Sequence, residues 1–138
     1  MTTTKFFSAL LATTTLLLAS ATSAHAPTET VTPNFSHAVT NIPGKSLVAV
    51  EVLYPPGGAS APHSHAKSAF IYAYVLSGAI ESKVNDGETR IYRAGESWSE
   101  PPGAIHSISR NASKTEPAKM LTVFVVDTDH GAMLTPVK

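Results

Sequence analysis

Three histidines supply the chemistry this sequence suggests. His63 and His65 stand one residue apart in "APHSHAK", and His106 closes "GESWSEPPGAIH" just after the turn Pro101-Pro102-Gly103. Along a β-strand side chains alternate between faces, so His63 and His65 point the same way; on a helix the same spacing would send them to nearly opposite sides. The strand arrangement offers two imidazoles to one ion, and neutral imidazole suits Fe, Mn, Ni, Cu and Zn. A tight turn can aim His106 back across a barrel toward that pair. The plain alternative is that His63-Ser64-His65 decorates a surface; the second stretch, with its own turn-borne histidine, weighs toward a shared ion. Of the remaining histidines, His37 and His130 read as surface residues, and His25 lies at a processing site.

The elements that must position these side chains read as strands throughout. "SLVAVEVLY" (46–54) is apolar and β-branched, and "PPGGASAP" (55–62) is a loop. "AFIYAYVL" (69–76) is a second apolar run, broken by Ser77-Gly78 before "AIESKV" (79–84). "NDG" (85–87) is a strong hairpin turn, followed by the alternating "ETRIYR" (88–93). "AGESWSEPPG" (94–103) carries two more turn signals and a strand stopped by the prolines. "AIHSISR" (104–110) alternates again, and "AKMLTVFVVD" (118–127) is a last buried strand. No stretch of the mature chain has a convincing helical period. Short strands with turns every eight to twelve residues indicate an all-β sandwich or barrel.

The chain has 138 residues, ten Lys and Arg against ten Asp and Glu, and no cysteine. Lys5 followed by the apolar, threonine-broken "FFSALLATTTLLLA" and by Ala24-His25-Ala26 reads as a cleavable signal peptide over residues 1–26, with cleavage at Ala24 as the alternative because Pro27 follows directly. The apolar core is shorter than the roughly 20 residues a spanning helix needs, so no stable membrane anchor is expected. Export to a periplasmic or secreted location follows. About 112 residues remain, enough for one small core. With no basic excess, nucleic acid is not an expected partner. With no disulfide, packing, metal or oligomerisation must hold the exported domain. Residues 27–44, rich in Thr, Pro and Asn, read as an extended arm that covers a sheet edge; 45–128 as the barrel; 129–138 as a tail. Asn34-Phe35-Ser36 and Asn111-Ala112-Ser113 match the glycosylation pattern, taken as chance matches in a bacterial periplasmic protein.

Together the two histidine stretches resemble the cupin family. Its first motif is G, five residues, H-x-H, three or four residues, E, six residues, G; here Gly57, His63-Ser64-His65 and Gly78 fall in order. Its second is G, five residues, P-x-G, two residues, H, three residues, N; here Gly95, Pro101-Pro102-Gly103 and His106 fit. Asn111 comes one position late, with Arg110 in its place, a loop detail. The resemblance spans about residues 46–127. It implies a single-domain jelly-roll β-barrel of the cupin type with one divalent transition metal held by His63, His65 and His106, a small-molecule substrate or ligand, and a homodimer paired through its sheets.

The acidic member of the first motif is missing. Its position falls on Ile71 counting back from Gly78, or on Ala69 or Phe70 counting forward from His65, and no Asp or Glu lies between Glu51 and Glu81. Three neutral imidazoles leave a divalent ion its full charge, which favours anionic or oxygen-rich substrates and strengthens Lewis acidity. Relatives with three histidines and no acid exist in the family, thiol dioxygenases among them. The expected activity is dioxygenase-like, with lyase, isomerase or hydrolase chemistry next and a non-catalytic binding or sensing module as the alternative. No residue stands out as an indispensable acid or base. Glu100 is a candidate base or supporting partner of the site, Lys67 and Arg110 are candidates to attract an anion, and Trp98 is expected in the core. Ile71 and Ala73 form an apolar wall, with Tyr72 and Tyr74 on the opposite face.

Overall fold

The structure is a computed structural model and describes residues 28–137; the expected signal peptide, with His25, lies outside them. Ten strands follow one another: β1 (Thr30–Ala38), β2 (Lys45–Tyr54), β3 (His63–His65), β4 (Phe70–Ser77), β5 (Ala79–Val84), β6 (Arg90–Arg93), β7 (Ser97–Glu100), β8 (Ile105–Asn111), β9 (Ala118–Asp127) and β10 (Leu134–Pro136). No helix occurs among the described residues. The strands form two five-stranded sheets, ordered β1-β2-β9-β4-β7 and β10-β3-β8-β5-β6, with every pairing antiparallel. This is the all-β architecture that the turn spacing implied, in the jelly-roll form that the family resemblance implied.

Alternation builds the core. In β9 every second residue is buried, from Ala118 through Met120, Thr122 and Phe124 to Val126, and β4 buries Ile71, Ala73 and Val75. Ala73, Val75, Ala118 and Met120 pack with Val52, Tyr54, Ile80 and Trp98, while Ile71, Phe124 and Val126 form a second cluster with Ala69. Each fully buried Ile or Val contributes about 1.5–3 kcal/mol relative to its exposed state. Tyr72 is exposed, on the face opposite Ile71 and Ala73, as its parity required.

Two turns fix the geometry. Gly78 joins β4 to β5 at φ 70°, and a Cβ there would sit 2.6 Å from the Pro117 carbonyl oxygen, so only glycine fits. Pro101-Pro102-Gly103-Ala104 closes with an Ala104 N–H to Pro101 carbonyl bond of 3.1 Å and places Gly103 at φ 72°. Proline second and glycine third are the residues a type II turn demands. It reverses the chain between β7 and β8 and so brings His106 back toward β3.

Three segments carry more structure than their composition suggests. Residues 30–38 of the arm pair along β2 as an edge strand, with a register shift between Pro33 and Phe35. Ser97–Glu100 forms a strand of its own, β7, inside the stretch read chiefly as turns, paired to β4. The segment read as a tail contributes β10, whose Leu134, Thr135 and Pro136 pair with His65, Ser64 and His63. The shorter two, paired over four residues in β7 and three in β10, are made by tertiary partners and leave little periodicity to read.

Candidate metal centre

β3 presents His63 and His65 on one face, both buried, with Ser64 turned away. β8 lies beside it, and His63 and His106 are direct register partners. The three rings therefore face one another, with centroids 4.8 Å apart for His63 and His65, 5.4 Å for His63 and His106, and 6.1 Å for His65 and His106. One ring nitrogen from each lies within 4.8 Å of the others.

Neighbouring groups set which nitrogen is free. His63 Nδ1 lies 2.8 Å from the Ala61 carbonyl oxygen, so it carries the proton and leaves Nε2 with a lone pair. His106 Nε2 is 2.8 Å from Ser82 Oγ, which leaves Nδ1 facing Glu100. Neither nitrogen of His65 has a hydrogen-bond partner. His63 and His106 are thus held as ligating imidazoles are when an outer partner orients the ring, whereas His65 has no such partner.

Glu100 enters from β7. It is 2% exposed, and Trp98 Nε1–H donates to its Oε1 at 3.0 Å. Oε2 approaches His65 Nε2 to 3.1 Å, and Oε1 approaches His106 Nδ1 to 3.3 Å. The His65 contact lacks the alignment of a hydrogen bond, and Oε2 and the His65 nitrogens remain unpartnered. Buried polar atoms without partners are rare and call for an explanation such as an ion. The donor set of imidazoles and a carboxylate fits a divalent first-row metal.

Burial, together with the neighbouring His63 and His65, pushes the His106 imidazole down to about 4 against the pull of Glu100. His106 is therefore neutral near pH 7, the form that binds metal. For Glu100 burial is the largest influence and pushes upward, but the close His65 ring, the charge interactions with His106 and His65 and the Trp98 bond together hold the carboxyl below its ordinary range. It is a carboxylate at neutral pH.

The histidines and Glu100 line a pocket between the sheets, a cavity of about 80 Å³ that is partly open to solvent. Val50, Val52, Ala73, Met120 and Phe124 make most of its wall apolar, and Glu29, Val31 and Leu134 stand on its rim. Thr122 Oγ1 is buried in the lining without a partner.

All three expected histidines and Glu100 thus come together. Lys67 and Arg110 do not: neither lines this pocket, and Arg110 is exposed and paired with Glu81. Trp98 is in the core, stacked at 4.6 Å against Tyr92. His37 is exposed and His130 half-buried, and both bond to nearby backbone carbonyls away from the site. The sequence reading missed Ser82 and Thr122. Each is a lone hydroxyl at an inward position of an otherwise apolar alternation, Ile80-Ser82 in β5 and Met120-Thr122-Phe124 in β9, and that irregularity was the available signal. Asn111 is also more than a loop detail: its Nδ2 donates to the Glu116 and Pro55 carbonyls at 2.7 and 3.0 Å, and its Oδ1 accepts from the Ser113 N–H at 2.8 Å.

With the fold and these side chains in place, the family follows. The cupin domain model matches residues 50–124, and the chain belongs to the cupin family. Among solved structures, TT1209 from Thermus thermophilus is 26% identical with a TM-score of 0.56, over 72% of this chain and 84% of that one. An uncharacterized conserved protein with a double-stranded beta-helix domain from Klebsiella pneumoniae is 24% identical with a TM-score of 0.55, over 67% of this chain and 75% of that one, a likeness of fold. An oxalate oxidase is 26% identical with a TM-score of 0.55; 79% of this chain is covered but only 55% of the oxidase. The comparison with curated protein sequences finds no match.

Proposed function

We propose that this cupin holds one divalent transition metal on His63, His65 and His106 and presents a small organic substrate to it, with oxygen-dependent oxidation as the reaction class. The observation that carries the reading is the convergence of one nitrogen from each of three buried histidines within 4.8 Å, at the floor of a pocket. A bound metal of this kind would supply Lewis acidity and, if redox-active, electron transfer to oxygen.

The chain's own residues do the rest. Ala61 and Ser82 orient the rings, Val50, Val52 and Phe124 keep water out of the site, and the unpartnered Thr122 hydroxyl offers a hydrogen bond to a substrate oxygen. A cavity of about 80 Å³ suits a small acid, thiol or phenol rather than a polymer. The likeness to an oxalate oxidase supports a small oxygen-rich acid as the first substrate to try. The mostly apolar lining favours a second reading, a module that binds a small ligand and turns nothing over.

Export is proposed from the residue pattern at 1–26, and a homodimer from the exposed Phe70 and Tyr72 on the outer face of β4. Elemental analysis of the protein taken from its own compartment, followed by oxygen uptake with a panel of small acids, thiols and phenols, tests the functional reading. We expect one transition metal per chain and uptake with at least one of the panel. Metal without uptake, with tight binding of a panel member, would leave the binding module; protein that neither contains nor takes up metal would end the metal reading.

A further inference from the structure

We propose that Glu100 is a fourth protein ligand of the metal, delivered from β7 to the place where the first motif offers only Ile71. The proposal rests on the reading that His63, His65 and His106 bind a divalent ion.

Four observations carry it. First, Ile71 on β4 and Glu100 on β7 are direct register partners. Opposed residues of an antiparallel pair share a face with Cβ atoms about 5 Å apart, so a carboxylate on Glu100 reaches the volume a side chain at 71 would occupy. Second, the contacts have the spacing of two ligands on one ion. Ligands about 2.1 Å from a cation lie roughly 3.0 Å apart at right angles and roughly 3.4 Å apart in a tetrahedron. Glu100 Oε2 stands 3.1 Å from His65 Nε2 and Oε1 stands 3.3 Å from His106 Nδ1, so each carboxylate oxygen faces one imidazole at that spacing. Third, Oε2 and both His65 nitrogens have no hydrogen-bond partner, although Oε2 and Nε2 are within hydrogen-bonding distance. Two acceptors turned toward a common third point leave that pattern. Fourth, no Lys or Arg among the described residues lines the pocket. A carboxylate 2% exposed must be paired with a cation or held by a metal.

The Trp98 indole fits the same role. By fixing Oε1 at 3.0 Å it holds the carboxylate in one rotamer, as an outer partner does for a ligating group. The consequence is a change in substrate class. An ion on three imidazoles keeps a 2+ charge, whereas with Glu100 the occupied centre carries 1+. That favours a monoanionic or neutral substrate over a dianion.

The test uses the full chain stripped of metal and titrated with Co(II), read by visible absorption. Loss of an outer partner alone typically costs about 10- to 100-fold in metal affinity, so loss of a ligand should cost at least about tenfold. We expect Glu100→Gln, which can still accept the Trp98 bond, to weaken Co(II) binding by at least that factor and to change the d–d spectrum. Ile71→Glu combined with Glu100→Ala should regain most of the affinity, because it returns a carboxylate to the same face from the partner strand. Glu100→Gln with wild-type affinity and an unchanged spectrum would overturn the assignment and leave Glu100 a hydrogen-bond acceptor. Should Glu100→Gln fail to fold, the double variant decides alone: folded but without regained Co(II) binding, it overturns the proposal. Wild-type protein that takes up no Co(II) overturns the underlying metal reading, a result distinct from a Glu100-specific failure.

Discussion

Tyr54, Ser60, Ser109 and Asn111 form one inward-facing polar cluster of the barrel; His63, His65, His106 and Glu100 form another. The first closes on itself. The Tyr54 hydroxyl shares 2.7 Å hydrogen bonds with both Ser60 and Ser109, and Asn111 spends its amide on the Pro55 and Glu116 carbonyls and the Ser113 N–H. The second stays open, with both His65 nitrogens and Glu100 Oε2 unpartnered. Each unmet buried polar group costs about 1–3 kcal/mol, a cost that an architectural cluster avoids and that a binding site recovers when its ligand arrives. Burial and polarity are alike in the two clusters, and satisfaction separates structure from site.

The contrast breaks most sharply at Asn111. Asn111→Ala strands two carbonyls and one N–H, and should lower unfolding free energy by about 4 kcal/mol in urea denaturation. Metal stoichiometry of the folded fraction should be unchanged. Metal loss in protein that remains fully folded would mean the two clusters are not separate. The same bonds leave the Asn111 side chain no freedom to carry a glycan in the folded chain.

The second contrast is in pH. His106 is near 6.5 when unfolded and about 4 when folded, so between those values the unfolded chain binds more protons. Stability of the metal-free protein is then fully present above about pH 6.5 and is lost as pH falls toward 4, by up to about 3 kcal/mol. Glu100, held below its ordinary range, adds a loss of the same sign at lower pH. The Tyr54 phenol, pushed up by burial, takes no part in this window. Thermal unfolding of metal-free protein at pH 4.5 and 7 checks the sign, and a melting temperature higher at pH 4.5 would contradict it. Tyr54→Phe gives the smallest effect, about 1–2 kcal/mol from freeing Ser60 and Ser109, and should leave the pH dependence intact. A flattened profile in that variant would show that the phenol is coupled to the histidines.

What could be read from residues alone follows the same division. The long strands were legible because period-two alternation survives in β4 and β9 and because β2 is apolar and β-branched, and the histidines because motif spacing and turn residues fall in order. β10 was obscured because three residues carry too little pattern and its partner β3 lies far away in sequence, whereas β7 was legible as a short strand stopped by the prolines but not in its pairing with β4. The acidic position of the first motif falls on Ile71 of β4, and Glu100, outside that motif, was legible only as a candidate base or supporting partner. It stands instead on the neighbouring strand, and no one-dimensional spacing shows that Ile71 and Glu100 are opposed. Lys67 and Arg110 misled for the converse reason, since proximity in sequence to a motif does not place a side chain on its inner face.

The account stands on three imidazoles sharing one cation. The most direct measurement is anomalous diffraction at the metal edge from crystals of the protein grown with its native metal. The account predicts a single peak per chain, within bonding distance of His63, His65 and His106. Rings that diverge, with no peak among them even after soaking in Co(II), would contradict it.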